Sequence, residues 1–201
     1  RLEIKKLFGF ELSIKDKYIF NYLNKYDIVI DCGANVGDVT ELLAKNGTTV
    51  YAFEPNPYAF EVLNNRFDKR DNVICEMKAV GIRDDEAELF FHENSNQDEL
   101  IWSTGSSLLS SKTNVDTNKS VKTEVIDLAN FIKRIDGNIK LIKIDIEGME
   151  CELLDHLIDE GVLSDIDLVL VETHDNKIPE LIEPTFRLKN KIKNYRLNNI
   201  Y

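Results

Sequence analysis

The chain has 201 residues, enough for one domain with a single apolar core, and its length does not require a second domain. Its 36 acidic residues outnumber 25 basic ones, and the formal charge of −11 disfavours nucleic acid and anionic membrane surfaces as partners. No apolar run approaches the ~18 residues of a membrane span and no signal-peptide pattern opens the chain, so we expect a soluble protein. Its three cysteines are odd in number and widely spaced, which indicates a reduced, cytoplasmic setting.

A helical or irregular lead-in is expected over residues 1–27, before a domain that we predict over residues 28–201. The first residue is Arg1 rather than Met, so we expect the chain to be part of a longer polypeptide, with other domains as its partners. The three cysteines are widely spaced and lie inside or beside apolar runs, where a thiol acts as a small hydrophobe. Since no C-x-x-C pair occurs, a metal or redox cluster of cysteines is disfavoured.

Short apolar runs alternate with segments whose apolar residues recur every three or four positions. The runs lie at residues 28–31, 49–53, 73–80 and 141–146. This alternation predicts βαβ units and a doubly wound α/β fold, with a mainly parallel sheet and helices on both faces. The first helix is expected over residues 36–46 with Gly47 as its C-terminal cap, and the second should begin at Pro57 with Asn56 as its N-cap.

The segment after Val80 is less regular. It contains a strand candidate at residues 87–92 and a polar loop at residues 94–118, and so long a loop in a compact domain is usually functional or disordered. Regular elements are predicted again beyond it. They are a strand at 121–126, a helix capped by Asp127, a helix at 149–160, a buried strand at 166–173, a basic helix at 179–194 and a final strand-like piece at 195–201.

The most informative segment is DCGANVG at residues 31–37, which follows an apolar strand and opens a helix. In an open α/β sheet this is the first strand-to-helix turn, at the carboxyl edge where ligands bind. Gly33 and Gly37 leave bare backbone for a ligand, but their G-x-x-x-G spacing is not the G-x-G-x-x-G that brings a helix N-terminus onto a pyrophosphate. A nicotinamide dinucleotide, and with it a nucleotide-dependent oxidoreductase, is therefore disfavoured.

Acidic residues end the first two predicted strands. Asp31 is a poor neighbour for phosphate and a good one for the ammonium group of an amino-acid moiety. Glu54 is placed to accept hydrogen bonds from both hydroxyls of an adenosine ribose. Met77 and the residues after it would flank the adenine, although a place for Met77 in the core is an equal alternative. The pattern predicts a pocket for a cationic adenosyl group without phosphate.

Charged residues also end the fourth and fifth predicted strands. Because side chains alternate along a strand, Lys143, Asp145 and Glu147 should share one face of the fourth strand. Glu172 and His174 should share a face of the fifth, and neighbouring strand ends would gather all five into one cluster of catalytic candidates. Asp145 and His174 rank first as bases that take up a hydroxyl proton, with Glu147 and Glu172 orienting the acceptor.

Two other roles stay open for this cluster. Asp145, Glu172 and His174 offer oxygen ligands and one imidazole, which would suit Mg²⁺ or Mn²⁺, although a metal is not the favoured interpretation. Alternatively, the residues form a salt-bridge network in which Lys143 neutralises a carboxylate, without any part in catalysis.

The polar loop supplies candidates for acceptor binding. Trp102, Ser106 and Ser107 combine a flat apolar ring with hydroxyl groups, a set that suits packing on a sugar and binding its hydroxyls. A plain surface loop explains the same residues equally well.

The succession of motifs resembles the FkbM family of O-methyltransferases. The motifs are DCGANVG at 31–37, FEPNP at 53–57, KAVG at 78–81, GSSL at 105–108, LIKIDIEGME at 141–150 and VETH at 171–174. The resemblance implies a class I Rossmann-like methyltransferase fold, S-adenosylmethionine as donor, and a hydroxyl acceptor, commonly on a sugar of a glycan, glycolipid or natural product. Active-site residues that carry over are Asp145, Glu147 and His174. Expected cofactor contacts are Asp31, Gly33, Ala34, Asn35, Gly37, Glu54, Pro55, Asn56, Lys78 and Ala79.

Two alternatives to this function remain. One is an adenosyl-binding domain that has lost catalysis and serves a larger assembly, and the other is a methyltransferase with a non-sugar small molecule as acceptor. A pure binder does not need the whole cluster of charged residues, which counts against the first alternative.

Overall fold

The computed structural model describes residues 19–175 and 178–201, which form eight strands and six α-helices. The strands are β1 (Asp27–Cys32), β2 (Thr49–Phe53), β3 (Val73–Glu76), β4 (Ala79–Gly81), β5 (Asp85–His92), β6 (Val115–Asp127), β7 (Asn138–Ile144) and β8 (Leu168–Val171). The helices are α1 (Ile19–Tyr22), α2 (Asp38–Leu43), α3 (Pro57–Phe67), α4 (Leu128–Arg134), α5 (Glu150–Asp159) and α6 (Ile182–Tyr195). The predicted lead-in lies outside the described residues as far as residue 18.

The central sheet has five parallel strands in the order β3-β2-β1-β7-β8. The chain moves outward from β1 through β2 to β3, then returns to place β7 on the other side of β1. The strand order therefore reverses at β1, which confirms the predicted doubly wound α/β fold and puts a ligand-binding crevice at the carboxyl ends of β1 and β7.

Two apolar cores cover the two faces of this sheet. Val29 of β1 packs with Leu63 and Phe67 of α3, whereas Ile30, one position along, packs with Leu157 of α5 on the opposite face. This division follows from the alternation of side chains along a strand. The result is a three-layer domain in which helices on both faces hold the strand ends in fixed positions.

The third predicted strand, at residues 73–80, is wrong as a single element. The chain turns at Met77, where the Lys78 N–H donates to the Glu76 carbonyl oxygen at 2.9 Å, and the two halves enter different sheets. Met77 is 52% exposed, so the core position is wrong, and Met77 is absent from the lining of the cleft described below. Beyond the turn, β4 pairs with β6 in a second, three-stranded sheet of order β4-β6-β5.

The polar loop is shorter and more ordered than the sequence predicts. Residues Ile101–Gly105 form a 3-10 turn, and β6 begins at Val115, six residues before its predicted start at 121. The second sheet and this turn together are called the cap below, comprising β4, β5, β6 and Ile101–Gly105.

The remaining predicted elements differ at their ends. Helix α2 is shorter than its prediction of residues 36–46, and a 3-10 turn at Lys45–Gly47 follows it, where Gly47 has the expected positive φ of 80°. The predicted strand-like piece at 195–201 begins later than expected, since α6 continues to Tyr195. Its end does pair with β8 in parallel: the N–H groups of Val169 and Val171 donate to the carbonyl oxygens of Asn199 and Tyr201, both at 2.7 Å. No helix among the described residues has the length and apolarity that crossing a bilayer requires.

The N-cap of α3 gives a first stability prediction. The Asn56 Oδ1 accepts from the N–H groups of Tyr58 at 3.0 Å and Ala59 at 3.4 Å, and its Nδ2 donates to Ser106 Oγ in the cap at 3.0 Å. Because Asn56→Ala removes all three bonds, we expect it to lower the free energy of unfolding by ~1–2 kcal/mol in urea titrations. The control, Asn65→Ala, alters an exposed position of the same helix. Equal losses in both variants would contradict the capping role.

Candidate active site

A cleft of about 680 Å³, open to solvent, lies at the carboxyl ends of β1, β2 and β7. Gly33, Glu54 and Asp145 line it from the ends of these strands, and Leu89 and Ser103 line it from the cap. Its position matches the crevice expected where the strand order reverses. The cap therefore turns an open sheet edge into a pocket with walls on opposite sides.

The predicted cofactor residues divide into two groups. Those that line the cleft are Gly33, Asn35, Glu54, Pro55, Lys78 and Ala79. Those absent from its lining are Asp31, Ala34, Gly37 and Asn56.

The turn between β1 and α2, residues 33–37, is called the glycine turn below. Gly33 lines the cleft, and both glycines of this turn also pack closely against other parts of the protein. Gly33 has a φ of +77°, and a Cβ there would lie 1.8 Å from the Asp145 carbonyl oxygen. At Gly37, with a φ of +89°, a Cβ would lie 2.5 Å from the Phe67 ring and 2.8 Å from Leu63. Sequence analysis assigned both glycines to close approach of a ligand, but Gly37 instead makes room for the packing of α3.

Glu54 is held rigidly at the end of β2. Its Oε2 accepts from the Asn35 N–H and its Oε1 from the Asn56 N–H, both at 2.8 Å, and the residue is 6% exposed. Burial raises the pKa of Glu54 to about 7, although the two backbone N–H groups act in the opposite direction. Each carboxylate oxygen keeps a second lone pair, so Glu54 can accept two further hydrogen bonds from a ligand in the cleft.

Asp31 lies behind the glycine turn rather than in the cleft. It is 0% exposed, its Oδ2 accepts from Thr40 Oγ1 at 2.7 Å, and its Oδ1 lies 3.5 Å from Lys143 Nζ. Sequence analysis expected Asp31 to face the ammonium group of a ligand. In the structure its cationic neighbour is Lys143 of β7, because the side chain is buried against α2, where Thr40 donates to it.

Lys143 connects the glycine turn to Asp145. Its Nζ donates to the Gly33 carbonyl oxygen at 2.6 Å and lies 3.4 Å from Asp145 Oδ2. Burial disfavours the charged form, but Asp31 and Asp145 outweigh it and raise the pKa of Lys143 above its usual value. A lysine that stays protonated cannot act as a base, so Lys143 serves to orient the residues around it.

The chain bends directly after β7, so the expected alternation of Lys143, Asp145 and Glu147 along one strand face is wrong. The strand ends at Ile144, and Glu147 and Gly148 have φ values of 58° and 126°. Asp145 and Glu147 nevertheless both line the cleft. The bend brings them there, and the Asp145 N–H anchors it by donating to the Cys32 carbonyl oxygen at 3.1 Å.

His174 is buried behind these carboxylates and is only 1% exposed. Its Nδ1 donates to Glu150 Oε1 at 2.8 Å, while its Nε2 lies 3.4 Å from Glu147 Oε2 and 3.8 Å from Asp145 Oδ1. Burial opposes its charged form, but Glu150, Glu147 and Asp145 together raise the pKa of His174. The ring is absent from the cleft lining, so of the two bases ranked first only Asp145, with 29% of its side chain exposed, faces the cleft.

Glu150 is the member of this cluster that sequence analysis did not single out. It is fully buried, and its carboxylate accepts from the N–H groups of Ile146 at 3.1 Å and Gly148 at 3.0 Å as well as from His174. An acidic residue in the first turn of a predicted helix was the available signal. Asp145, Glu150 and His174 place ligand atoms within 4.8 Å of one another, so Glu150 stands where the sequence placed Glu172.

Glu172 lies immediately after β8. Its backbone N–H donates to the Ile144 carbonyl oxygen at 2.9 Å, which continues the pairing of β8 with β7, and the residue is half-buried. Its predicted role in orienting an acceptor remains a prediction.

Of the three acceptor-binding candidates in the polar loop, two contact other residues of the protein and one lines the cleft. Trp102 stacks on His92 with ring centroids 4.4 Å apart, and it does not line the cleft, which leaves the predicted sugar platform without support. Ser106 does line the cleft, whereas Ser107 Oγ donates to the Glu147 carbonyl oxygen at 2.7 Å and fixes the bend after β7.

Two further polar residues lie in or beside the cleft. Ser103 lines the cleft, and its Oγ accepts from Asn35 Nδ2 at 2.9 Å, which ties the cap to the glycine turn. Lys112 is buried and its Nζ donates to Glu147 Oε2 at 2.7 Å. Neither follows from local sequence, because both contacts join segments distant in the chain.

Known proteins share this sequence pattern. The model of the methyltransferase FkbM domain matches residues 31–194. Hexuronic acid methyltransferase AglP of Haloferax volcanii is 23% identical over 154 residues, which are 77% of this chain and 59% of that protein. Probable ribosomal RNA small subunit methyltransferase A of Methanosarcina barkeri is 45% identical over 51 residues, which are 25% of this chain and 18% of that protein.

Solved structures give a likeness of fold at low identity. An rRNA methylase of Streptococcus thermophilus has 12% identity and a TM-score of 0.46, covering 85% of this chain and 75% of that one. A candidate methyltransferase of Streptococcus mutans in complex with SAH has 12% identity and a TM-score of 0.47, covering 89% of this chain and 82% of that one.

Proposed function

Because the chain belongs to the FkbM methyltransferase family, whose domain model matches residues 31–194, we propose that it transfers the methyl group of S-adenosylmethionine to a hydroxyl group. The observation that carries the proposal is that Glu54 and Asp145 line the same cleft, from the ends of two different strands. Glu54 suits the two hydroxyls of a ribose, and Asp145 lies where the methyl group would meet its acceptor. Three carboxylates in the lining, Glu54, Asp145 and Glu147, against the single lysine Lys78, favour a cationic ligand over a phosphorylated one.

The cofactor would lie between the glycine turn and the end of β3. Its adenosyl group would occupy the side lined by Glu54, Lys78 and Ala79, and its sulfonium the side of Gly33 and Asp145. The chemistry of these lining residues supports the assignment of the cofactor.

The proposed reaction is an in-line displacement. The acceptor oxygen attacks the methyl carbon, the carbon–sulfur bond breaks with its electron pair passing to sulfur, and the hydroxyl proton passes to the Asp145 carboxylate. Lys143, whose Nζ lies 3.4 Å from Asp145 Oδ2, holds this carboxylate at the wall of the cleft. Glu147 would orient the acceptor.

A sugar of a glycan, glycolipid or glycosylated natural product is the acceptor class that we favour. A relative that matches 77% of this chain is named a hexuronic acid methyltransferase, and a sugar hydroxyl is an acceptor that the Asp145 carboxylate in the cleft suits. The rRNA methyltransferase relatives match over 51 residues only, and the formal charge of −11 opposes binding of RNA.

Two measurements test the proposal. Calorimetry should show binding of S-adenosylmethionine and none of NAD⁺, and binding of NAD⁺ alone would overturn the cofactor. Mass spectrometry of a glycan panel incubated with the protein and labelled cofactor should then show labelled sugars heavier by one methylene. Transfer to protein or nucleic acid alone would overturn the sugar acceptor.

Glu54→Gln gives a second prediction, on cofactor affinity. The amide has one acceptor oxygen where the carboxylate has two, so we expect the Kd for S-adenosylmethionine to rise about tenfold or more. Since the pKa of Glu54 is raised to about 7, wild-type affinity should increase as the pH rises through 7, because the ionised form accepts hydroxyl hydrogen bonds more strongly. The variant should lack this increase.

The matched control for this prediction is Glu61→Gln, at an exposed position of α3. It should retain both the affinity and the pH dependence of the wild type. If Glu54→Gln binds the cofactor as tightly as this control at every pH, Glu54 does not contact the ribose.

A further inference from the structure

His174 presents a buried nitrogen that forms no hydrogen bond. A carboxylate only accepts, so the 2.8 Å contact with Glu150 requires the proton on Nδ1 and leaves the lone pair of a neutral ring on Nε2. Nε2 is buried and has no hydrogen-bond partner. Buried nitrogen atoms of this kind are costly unless a proton or a cation satisfies them.

The atoms nearest to Nε2 are themselves acceptors. Glu147 Oε2 lies at 3.4 Å and Asp145 Oδ1 at 3.8 Å, and neither contact has hydrogen-bond geometry. A lone pair and two carboxylate oxygens thus face the same space. Such an arrangement repels itself unless positive charge lies between the three atoms.

The separations suit the ligands of one metal ion. Neighbouring ligands with metal–ligand bonds of ~2.1 Å lie ~3.0–3.4 Å apart in octahedral or tetrahedral geometry. The contact from Nε2 to Glu147 already has this length, and the 3.8 Å contact from Nε2 to Asp145 exceeds it by a few tenths of an ångström. Glu150 supplies the hydrogen bond to the other ring nitrogen that metal-bound histidines usually make.

The charge of the surroundings points the same way. The carboxylates paired with the His174 ring are Asp145, Glu147 and Glu150, and the two lysines beside them are Lys112 and Lys143. The carboxylates outnumber the ammonium groups, so the surroundings of a neutral imidazole carry negative charge, which favours a cation.

We propose that Asp145, Glu147 and His174 bind one divalent cation, with Glu150 holding the histidine ring. Mixed carboxylate and imidazole ligands suit Mn²⁺ or a chemically similar ion. Glu147 Oε2 also accepts from Lys112, so the lysine would share this carboxylate with the ion. The inference rests on the proposed function, because an ion at the cleft wall would bind the acceptor oxygen and make its proton easier to remove.

Direct titration with Mn²⁺ tests the site. Protein that has been treated with EDTA and dialysed should bind one Mn²⁺ per chain. Binding is measured by calorimetry and by the decrease in the electron paramagnetic resonance signal of free Mn²⁺. Asp145→Asn and Glu147→Gln each remove a ligand charge at nearly constant volume, and we expect each to weaken binding tenfold or more. The control is His156→Gln, a histidine paired with Asp127 outside the cleft, which should bind as the wild type does.

Several outcomes would overturn the site. They are no binding by the wild type at millimolar Mn²⁺, equal binding by Asp145→Asn and His156→Gln, or an Nε2 proton on His174 in nitrogen-15 spectra recorded with Mg²⁺ present. His174→Gln is unsuitable as a test because it replaces a buried ring and so changes the packing as well as the ligand. Circular dichroism should confirm that Asp145→Asn and Glu147→Gln are folded.

A parallel titration with S-adenosylmethionine separates this inference from the proposed function. Cofactor binding without Mn²⁺ binding overturns the cation site and leaves the methyltransferase. Mn²⁺ binding without cofactor binding supports the site and overturns the methyltransferase.

Discussion

Replacing Asp145 by asparagine is expected to lower the rate of methyl transfer by ~100-fold or more, while the affinity for S-adenosylmethionine stays within a few fold. The amide keeps the size and shape of the side chain but cannot receive the acceptor's proton. Asp145 is the residue expected to show this effect because it is the candidate base that lines the cleft, whereas His174 is buried behind it. Single-turnover rates and calorimetry on the same sample measure the two quantities.

Asp159→Asn is the matched control for this experiment. Asp159 ends α5 and pairs with Lys191 at 2.7 Å on the surface, away from the cleft lining. Its turnover should equal that of the wild type. Undiminished turnover in Asp145→Asn would remove Asp145 from the mechanism, and a parallel loss of cofactor affinity would assign it to binding.

Replacing Gly33 by alanine is expected to be the most destabilising single change at the cleft, by ~3 kcal/mol or more. A Cβ at this position would lie 1.8 Å from the Asp145 carbonyl oxygen, and that oxygen belongs to the backbone, which cannot rotate away as a side chain can. The φ of +77° adds strain for any residue with a Cβ. Urea titration of both proteins measures the difference in the free energy of unfolding.

Gly161→Ala separates the clash from the backbone strain. Gly161 has a similar φ of +69°, but a Cβ there would meet nothing within 4 Å, so we expect a loss of only ~1 kcal/mol. Equal losses in the two variants would show that the close approach of Gly33 to Asp145 does not limit stability. A larger loss at Gly33 would show that the glycine turn and the bend after β7 are one packed unit.

This unit would join cofactor binding to the proposed chemistry. The Asp145 backbone packs on Gly33 and bonds to Cys32, its side chain faces the cleft, and Lys143 connects both parts through the Gly33 carbonyl oxygen. A shift of the glycine turn therefore moves the candidate base directly. We expect Gly33→Ala, which displaces the backbone, to change cofactor affinity and turnover together, unlike Asp145→Asn, which alters only a side-chain group.

The sequence by itself determined the features that depend on local pattern. The alternating apolar runs predicted the doubly wound sheet, and the polar residues before two helices predicted the N-caps at Asn56 and Asp127. The structure confirms both predictions. The DCGANVG turn and Glu54 were also placed correctly at strand ends that line the cleft. These features follow from hydrogen bonds and side-chain periods within a few residues, so a single segment carries the information.

Tertiary structure alone decided which charged groups face the cleft and which are buried. Lys143 bonds to Gly33 across 110 residues of chain, and Glu147 meets Lys112 across 35, so neither contact has a local signal. The same holds for the burial of Asp31 and His174, which follows from the packing of β1, β7 and α5 around them. Residue types and spacing limit what a site can contain, but the direction of each side chain is set by the bend after β7 and by contacts between distant segments.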